Sequence, residues 1–215
     1  MTDPAVVSRP PIPPQIAEGR IIAIGRGLDP DRVLRIADGL VEGGIRAFEI
    51  TLNSPAALDA IEALGGRFGD ELLIGAGTVL TPDAASSAMS AGARFIVAPH
   101  TSPDLLGWAL ERHVPCFPGA LSPTEILAAW RGGAAAVKLF PASSVGPAFV
   151  RELRGPFPEI PIIPTGGVTI ETAPAFLAAG AVAIGLGSWL TGDGEPSRIA
   201  DRGARLVRAL AGAAD

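Results

Sequence analysis

The chain has 215 residues, of which 48% are hydrophobic and 18% are charged, and its formal net charge is −5. This composition can build a sizeable buried core and excludes an intrinsically disordered chain, while the acidic balance argues against a nucleic-acid-binding protein, which needs a basic face. The sequence contains no membrane-spanning stretch and no secretory signal, and its single cysteine, Cys116, cannot form an internal disulfide. These features predict a cytoplasmic protein.

Residues 1–20 contain five prolines, and we expect them to form an N-terminal segment or a short helix ahead of the main domain. From residue 21 onwards, short apolar runs alternate with amphipathic patterns that are typical of helices. Because each run is apolar throughout, the runs are predicted to be strands buried on both faces, as in a parallel sheet covered by helices. The predicted strands are 21–24, 48–51, 72–76, 95–98, 114–117, 136–140, 160–164 and 182–186.

Five of the predicted helices begin with a residue that favours the N-cap position, followed by proline. These pairs are Asp29-Pro30, Ser54-Pro55, Thr81-Pro82, Ser102-Pro103 and Ser122-Pro123. The predicted helices are 30–42, 55–67, 82–91, 103–112, 123–131, 147–153, 172–179 and 197–211. Eight strand–helix units in a chain of this length predict an α/β protein with a single-domain (β/α)₈ TIM barrel over residues 21–215.

Lys138 is the single lysine of the chain, which otherwise uses 16 arginines wherever it needs a positive charge. It lies in the apolar run 134–141, which is predicted to be a buried strand and is an unusual place for an ordinary surface lysine. A buried lysine can lose its proton and attack a carbonyl carbon, whereas arginine stays protonated. Lys138 is therefore a candidate Schiff-base residue.

Glu49 is the candidate partner of Lys138. In α/β barrels the chemistry takes place at the carboxyl ends of the strands. Side chains alternate between the two faces of a strand, so Lys138 and Phe140 share one face of the sixth predicted strand. Glu49 and Thr51 likewise share one face of the second. The amine and the carboxyl group can therefore both point inward. They could form a buried ion pair, but such pairs stabilise weakly. We favour catalysis, in which Lys138 forms an iminium with a 2-keto acid and Glu49 acts as general acid and base.

Glycine-rich turns follow three of the predicted strands. The turns Thr165-Gly166-Gly167 and Gly185-Leu186-Gly187-Ser188 follow strands seven and eight, where barrels of this kind usually bind phosphate. The turn 75–78 could bind a carboxylate through exposed backbone amides and a hydroxyl, although turns of this composition are common. His100 lies on the same face, either exposed to solvent or in contact with substrate. Two histidines, one cysteine and no clustered carboxylates predict no metal site and no cofactor.

Together these motifs resemble the class I aldolases of 2-keto-3-deoxy-6-phosphogluconate and 2-keto-3-deoxy-6-phosphogalactonate, a family that also includes 4-hydroxy-2-oxoglutarate aldolases. The similar stretches are 43–52, 74–80, 137–142 and 164–168. The resemblance implies a Schiff base on Lys138, proton transfer by Glu49 and reversible cleavage of a phosphorylated 2-keto acid to pyruvate and glyceraldehyde 3-phosphate by a homotrimer. It also implies substrate contacts from Arg26, Asn53, Thr78, Pro99, Phe140, Thr165, Gly166, Gly167, Gly187 and Ser188.

The choice between the two epimers depends on a few positions. Phosphogluconate enzymes often carry an arginine four residues after the glutamate, where this chain has Asn53. The motifs Asn53-Ser54-Pro55 and Ser143-Ser144-Val145-Gly146-Pro147 look more like the phosphogalactonate branch, whereas Thr165 looks like the phosphogluconate branch. The balance slightly favours galactonate. Two other functions stay open from the residues alone. One is a phosphosugar epimerase or isomerase with Glu49 as the base, and the other is a non-catalytic phosphosugar-binding protein.

Overall fold

The computed structural model describes residues 8–192 and 194–212, and every strand pair in it is parallel. One sheet has the order β5-β4-β3-β2-β1-β9 and a second has the order β6-β7-β8. The strands are β1 (Ile21–Gly25), β2 (Ala47–Thr51), β3 (Leu73–Gly77), β4 (Ile96–Val97), β5 (Cys116–Phe117), β6 (Gly119–Ala120), β7 (Val137–Leu139), β8 (Ile162–Pro164) and β9 (Ile184–Leu186).

Backbone hydrogen bonds cross both junctions between the two sheets. Pro118, which has no N–H group, separates β5 from β6, and its carbonyl accepts the N–H of Lys138 at 2.9 Å. At the other junction, Thr165 forms a parallel bridge with Gly185, and the N–H of Val182 donates to the carbonyl of Ile162 at 3.0 Å. The protein is thus an α/β fold with a curled parallel sheet, and its fifth predicted strand is shorter than expected and continues beyond a proline.

Helices connect the strands, with bounds close to the predicted ones. Two elements were not predicted, a helix over Ser188–Thr191 and a 3₁₀ helix over Ala142–Ser144, and both are too short to show a helical period. No helix in residues 8–192 and 194–212 is long and apolar enough to cross a membrane. The helices are α1 (Pro14–Gly19), α2 (Pro30–Glu42), α3 (Ala57–Phe68), α4 (Pro82–Ser90), α5 (Pro103–Glu111), α6 (Pro123–Arg131), α7 (Gly146–Leu153), α8 (Ala173–Ala178), α9 (Ser188–Thr191) and α10 (Pro196–Ala211).

The predicted helix start at Ser54-Pro55 is wrong. Ser54 is buried, its Oγ lies 3.0 Å from Thr51 Oγ1, and it accepts the N–H of Gly27 at 2.8 Å. The hydroxyl therefore joins the loops after β1 and β2, and α3 begins only after Ala56, which has φ 47°. The prediction is confirmed at the other four N-cap residues, whose side chains accept a backbone N–H of the first helical turn: Asp29, Thr81, Ser102 and Ser122.

The apolar core has two parts, one between the sheet and the helices and one enclosed by the strands. Val137 and Leu139 belong to the outer part, whereas Ala136 belongs to the inner part, as the predicted alternation requires. Helix α1 adds Ile16, fully buried, to the inner part. Residues 1–7 lie outside the described residues, and the division of the chain at residue 20 stays a prediction.

Candidate active site

A cavity of about 520 Å³ opens at the carboxyl ends of β1, β7, β8 and β9. This is the end of the sheet at which the sequence predicts the chemistry. We call it the large cavity, and its lining contains many of the predicted site residues. They are Arg26, Lys138, Phe140, Thr165, Gly166, Gly167, Gly187 and Ser188.

A second cavity of about 10 Å³ lies deeper, inside the strands. Glu49 lines this inner cavity together with Lys138 and Thr165. A space of this size is at the lower limit for a single water molecule. Lys138 and Thr165 line both cavities, so the lysine stands between the buried carboxyl group and the open space above it.

Lys138 is buried in the middle of β7, with 5% of its surface exposed. Its strand neighbours are Gly119 and Ile163, and its Nζ lies 5.1 Å from the centre of the Phe140 ring, where a cation and an aromatic face attract each other. The expectation that this single lysine is buried is therefore confirmed.

Glu49 is buried more deeply than Lys138, with 2% of its surface exposed, and its Oε1 has no hydrogen-bond partner. Burial raises the pKa of this carboxyl group above its usual value, and the nearby positive charges of Lys138 and Arg26 offset that rise only in part. Glu49 and Lys138, both within the described residues, are not joined by an ion pair within 4.0 Å. The geometry thus does not support the alternative of a structural ion pair.

Strand β3 makes room for the carboxyl group of Glu49. A Cβ built on Gly77 would lie 2.6 Å from Glu49 Oε1, and one built on Gly75 would overlap the ring of Phe95. Strand β3 continues one residue beyond the predicted end at 76, so Gly77 lies in the strand and not in the expected turn, and the N–H of Ala76 is not free but donates to the carbonyl of Phe95. These glycines provide space for side chains inside the sheet.

Arg26 and Thr78 meet above β1 and β3. Thr78 has φ 55°, a left-handed conformation that is uncommon outside glycine, and its Oγ1 accepts a hydrogen bond from Arg26 Nη2 at 3.4 Å. Thr78 itself is absent from the lining of both cavities, whereas Arg26 lines the large one. Arg26 is therefore the group through which this part of the site faces the large cavity.

The glycine turns also line the large cavity. Gly166 and Gly167 have φ 89° and 73°, and a Cβ on Gly167 would lie 2.6 Å from the Cβ of Ser143, so both positions require glycine. Sequence reasoning missed Thr191, whose hydroxyl donates to the carbonyl of Ile24 at 3.0 Å and so fixes α9 to the end of β1. The backbone conformation at Gly166 and Gly167 and the bond of Thr191 thus define two loops that line the cavity.

Arg32 also lines the large cavity and was missed as well. It lies three residues after the N-cap residue of α2, near the carboxyl end of β1, and this position is the signal that could have identified it. Besides Thr78, two more predicted contacts are absent from the lining of both cavities: Asn53 is exposed after β2, and Pro99 follows β4 with its carbonyl against Gly119. For these two residues, substrate contact stays a prediction.

The remaining titratable candidates lie outside the cavities. Burial raises the pKa of the Cys116 thiol to about 12, which makes it a poor nucleophile. His100 is exposed to solvent. Within the described ranges, no group of three or more His, Cys, Asp or Glu residues is placed to hold a metal ion.

A buried amine near a buried carboxyl group, next to an open cavity at the end of a parallel α/β sheet, is an arrangement suited to Schiff-base chemistry. The chain belongs to the KDPG and KHG aldolase family, whose family model matches residues 12–200. It is thus an aldolase, a carbon–carbon lyase, and the family predicted from the motifs is confirmed. Neither an epimerase nor a non-catalytic binding protein is supported.

Three relatives illustrate the similarity. The chain is 42% identical over 184 residues to a 2-dehydro-3-deoxy-phosphogluconate aldolase of Pseudomonas aeruginosa, covering 85% of this chain and 80% of that protein. It is 36% identical over 191 residues to a 2-dehydro-3-deoxy-6-phosphogalactonate aldolase of Escherichia coli, covering 88% of this chain and 93% of that protein. A KDPG aldolase structure from Legionella pneumophila, with pyruvate captured at low pH as a covalent carbinolamine intermediate, has a TM-score of 0.83 at 30% identity, covering 89% of this chain and 96% of that one.

Proposed function

We propose that the chain is a class I aldolase that reversibly cleaves a 2-keto-3-deoxy-6-phosphoaldonate into pyruvate and glyceraldehyde 3-phosphate. The observation that carries the proposal is the position of Lys138, which lines the inner cavity with Glu49 and also the large cavity with the glycine turns. A single amine thus faces both a proton-transfer group and a space for substrate. The substrates named for the relatives from Pseudomonas aeruginosa and Escherichia coli support the choice of a phosphorylated sugar acid.

In the proposed reaction, Nζ of Lys138 attacks the C2 carbonyl, and the carbinolamine loses water to give an iminium. Glu49 takes the proton of the C4 hydroxyl, directly or through a water in the inner cavity, and the C3–C4 bond breaks. The bonding electrons move into the iminium to form an enamine while the aldehyde leaves. A proton then adds to C3, and water hydrolyses the iminium to release pyruvate and free the amine. The raised pKa of Glu49 suits a group that must both accept and donate protons.

The other predicted residues receive binding roles in the same proposal. Arg26, with Thr78 bonded to it, would hold the carboxylate of the keto acid, and Phe140 would pack beside the substrate. The glycine turns and Ser188 would receive the phosphate through backbone N–H groups and a hydroxyl. For Asn53 and Pro99 the support is the family resemblance alone.

Removing the phosphate should lower kcat/KM by about a hundredfold or more, because remote binding energy supports the chemical step. Ser188→Asp should produce a similar loss on the phosphorylated substrate alone, since it places a negative charge beside the bound anion. Ser86→Asp, on the exposed face of α4, is the matched control and should have no effect. Steady-state cleavage of the phosphorylated and phosphate-free substrates measures both effects. Equal kcat/KM for the two substrates would contradict the phosphate assignment.

The chelated protein should still cleave its substrate, because an iminium replaces the Lewis acid of a metal-dependent aldolase. The measurement is pyruvate release from the phosphogluconate and phosphogalactonate epimers, coupled to lactate dehydrogenase, before and after exhaustive chelation. We expect the rate to be unchanged by chelation, and the galactonate epimer is slightly favoured by the sequence around Asn53 and Ser143. Activity that disappears on chelation and returns with a divalent ion would assign the protein to the other aldolase class.

The closed (β/α)₈ barrel is part of the proposal. It requires β5 and β6 to act as one strand interrupted at Pro118, so that eight strands form a ring. The hydrogen bonds across both junctions between the sheets support this closure, as does the inner core that the strands enclose.

We also propose a homotrimer in the cytoplasm. Leu58 on α3 and Leu80 ahead of α4 are large apolar side chains with 39% and 51% of their surface exposed. Leu58 lines a groove of about 500 Å³ between α3 and α4, which another subunit could cover. The single buried thiol of Cys116 suits a reducing compartment.

A further inference from the structure

Arg32 is a cation at the glycine-turn side of the large cavity. It lines that cavity together with Gly166, Gly167 and Ser188. Its Nη2 donates to the carbonyl of Gly192, 160 positions away in the chain, at 2.6 Å. The bond ties the guanidinium of α2 to the loop that follows α9, on the same side as the turns after β8 and β9.

Gly194, which follows α9, also packs against this guanidinium. A Cβ on Gly194, which has φ 69°, would lie 2.5 Å from Arg32 Nε, so a larger residue there would displace the side chain. The hydrogen bond to Gly192 uses one of the five N–H donors of the guanidinium. In the described residues Arg32 has no carboxylate within ion-pair distance. Its charge is therefore held in place and not neutralised by one of those carboxylates.

The charged side chains that line the large cavity among residues 8–192 and 194–212 are all positive. Arg26, Arg32 and Lys138 line it, and among the described residues no aspartate or glutamate does, although the chain as a whole carries −5. Arg26 lies on the side of Thr78, and Arg32 lies on the side of the glycine turns. Such a cavity fits a ligand that carries more than one anionic group.

Resting on the proposed function, we infer that Arg32 binds the phosphate dianion and sets the preference for phosphorylated over phosphate-free substrates. Backbone N–H groups donate neutral hydrogen bonds, whereas a guanidinium donates charge-assisted bonds whose planar fork matches phosphate oxygens. Arg32 thus adds charge-assisted hydrogen bonds to a phosphate site that is otherwise formed by backbone N–H groups and the hydroxyl of Ser188.

The test compares Arg32→Gln with the wild type on phosphorylated and phosphate-free substrates. We expect kcat/KM for the phosphorylated substrate to fall roughly ten- to a hundredfold, mainly through KM, as loss of a charge-assisted bond predicts. On the phosphate-free substrate the loss should stay below about threefold, because that substrate does not use the charge. Inorganic phosphate should act as a competitive inhibitor, and its inhibition constant should rise in Arg32→Gln by the same factor by which kcat/KM for the phosphorylated substrate falls. Arg35→Gln, which removes the same charge from an exposed position on α2, is the matched control and should behave like the wild type.

Arg32→Lys is the second variant, because it keeps the charge even if glutamine disturbs the loop. It should recover part of the preference for the phosphorylated substrate, because an ammonium group keeps the charge but not the planar fork. An equal loss on both substrates would mean that Arg32 only holds the loop in place, and an unchanged preference in Arg32→Gln would mean that the turns alone bind phosphate. Either result overturns the inference while the proposed function stands. A wild type that does not discriminate between the two substrates would instead overturn the phosphate assignment itself.

Discussion

Borohydride reduction in the presence of pyruvate should attach one pyruvate-derived unit to each chain, at Lys138. The buried amine is expected to form an iminium with the keto group, and borohydride reduces that iminium to a stable secondary amine. Because Lys138 is the single lysine, the adduct can otherwise form only at the N-terminal amine. Intact mass followed by peptide mapping separates the two sites.

Lys138→Arg should abolish both the adduct and the cleavage reaction. The substitution keeps a positive charge beside Glu49 and Phe140, but a guanidinium stays protonated and cannot attack a carbonyl carbon. This is the largest effect we expect from any single change, because no covalent intermediate can form. Circular dichroism and thermal unfolding show whether the variant is folded, since arginine must fit where only 5% of the lysine is exposed.

The chain offers a matched control for trapping, because its surface cations are arginines. A double variant with Lys138→Arg and Arg151→Lys carries its single lysine at an exposed position of α7. An exposed lysine keeps its proton at neutral pH, so it should trap little or no pyruvate under conditions that modify the wild type. Equal trapping at position 151 would show that the labelling is non-specific. Cleavage activity in Lys138→Arg alone would refute the Schiff-base mechanism.

The elements that could be predicted from the sequence are those whose cause is local. Period-two alternation placed Lys138 and Glu49 inside the strands, and the inner cavity that both line agrees with it. N-cap residues followed by proline predicted the starts of α2, α4, α5 and α6, because the cap bond joins residues three apart. Short-range chemistry of this kind is visible in a single sequence.

The features that could not be predicted depend on partners far along the chain. Ser54 caps no helix because its hydroxyl binds Gly27, 27 positions away. Arg32 looks like any surface residue of an amphipathic helix until Gly192 is found beside it, 160 positions away. A Gly-rich stretch predicts a turn, yet Gly77 lies in a strand and leaves space for a carboxyl group from the neighbouring strand. The sequence contains these residues but does not show what each of them faces.

Replacing Glu49 with glutamine should slow cleavage by roughly 10²–10⁴-fold, the usual contribution of a general acid–base group. Glutamine has nearly the same shape, so the loss would measure proton transfer more than packing. Single-turnover trapping with pyruvate should be slower than in the wild type but still detectable, because the amine of Lys138 remains. Glu62→Gln, which removes the same charge from an exposed position of α3, is the matched control and should cleave at the wild-type rate.

The pH dependence gives a second measurement on the same variant. Burial raises the pKa of Glu49, so the ascending limb of kcat/KM against pH should lie above the ordinary glutamate value of 4.5 and should disappear in Glu49→Gln.

The raised pKa of Glu49 also makes the free energy of unfolding depend on pH. A raised folded-state pKa means that the folded protein holds this proton more tightly than the unfolded chain does. The stabilisation is complete below pH 4.5 and is lost as the pH rises through the folded-state pKa.

Glu49→Gln should therefore gain stability relative to the wild type as the pH rises from about 4.5 to neutrality, which urea unfolding at several pH values would measure. If Glu49 instead had a structural role, Glu49→Gln would lose stability relative to the wild type at neutral pH. If Glu49 mainly neutralised Lys138, its removal would leave an unpaired buried charge and cost about 3–5 kcal/mol at neutral pH. Glu49 Oε1 lacks a hydrogen-bond partner, and no ion pair within 4.0 Å joins it to Lys138. A slow but stable variant would thus identify a carboxyl group that serves the reaction rather than the fold.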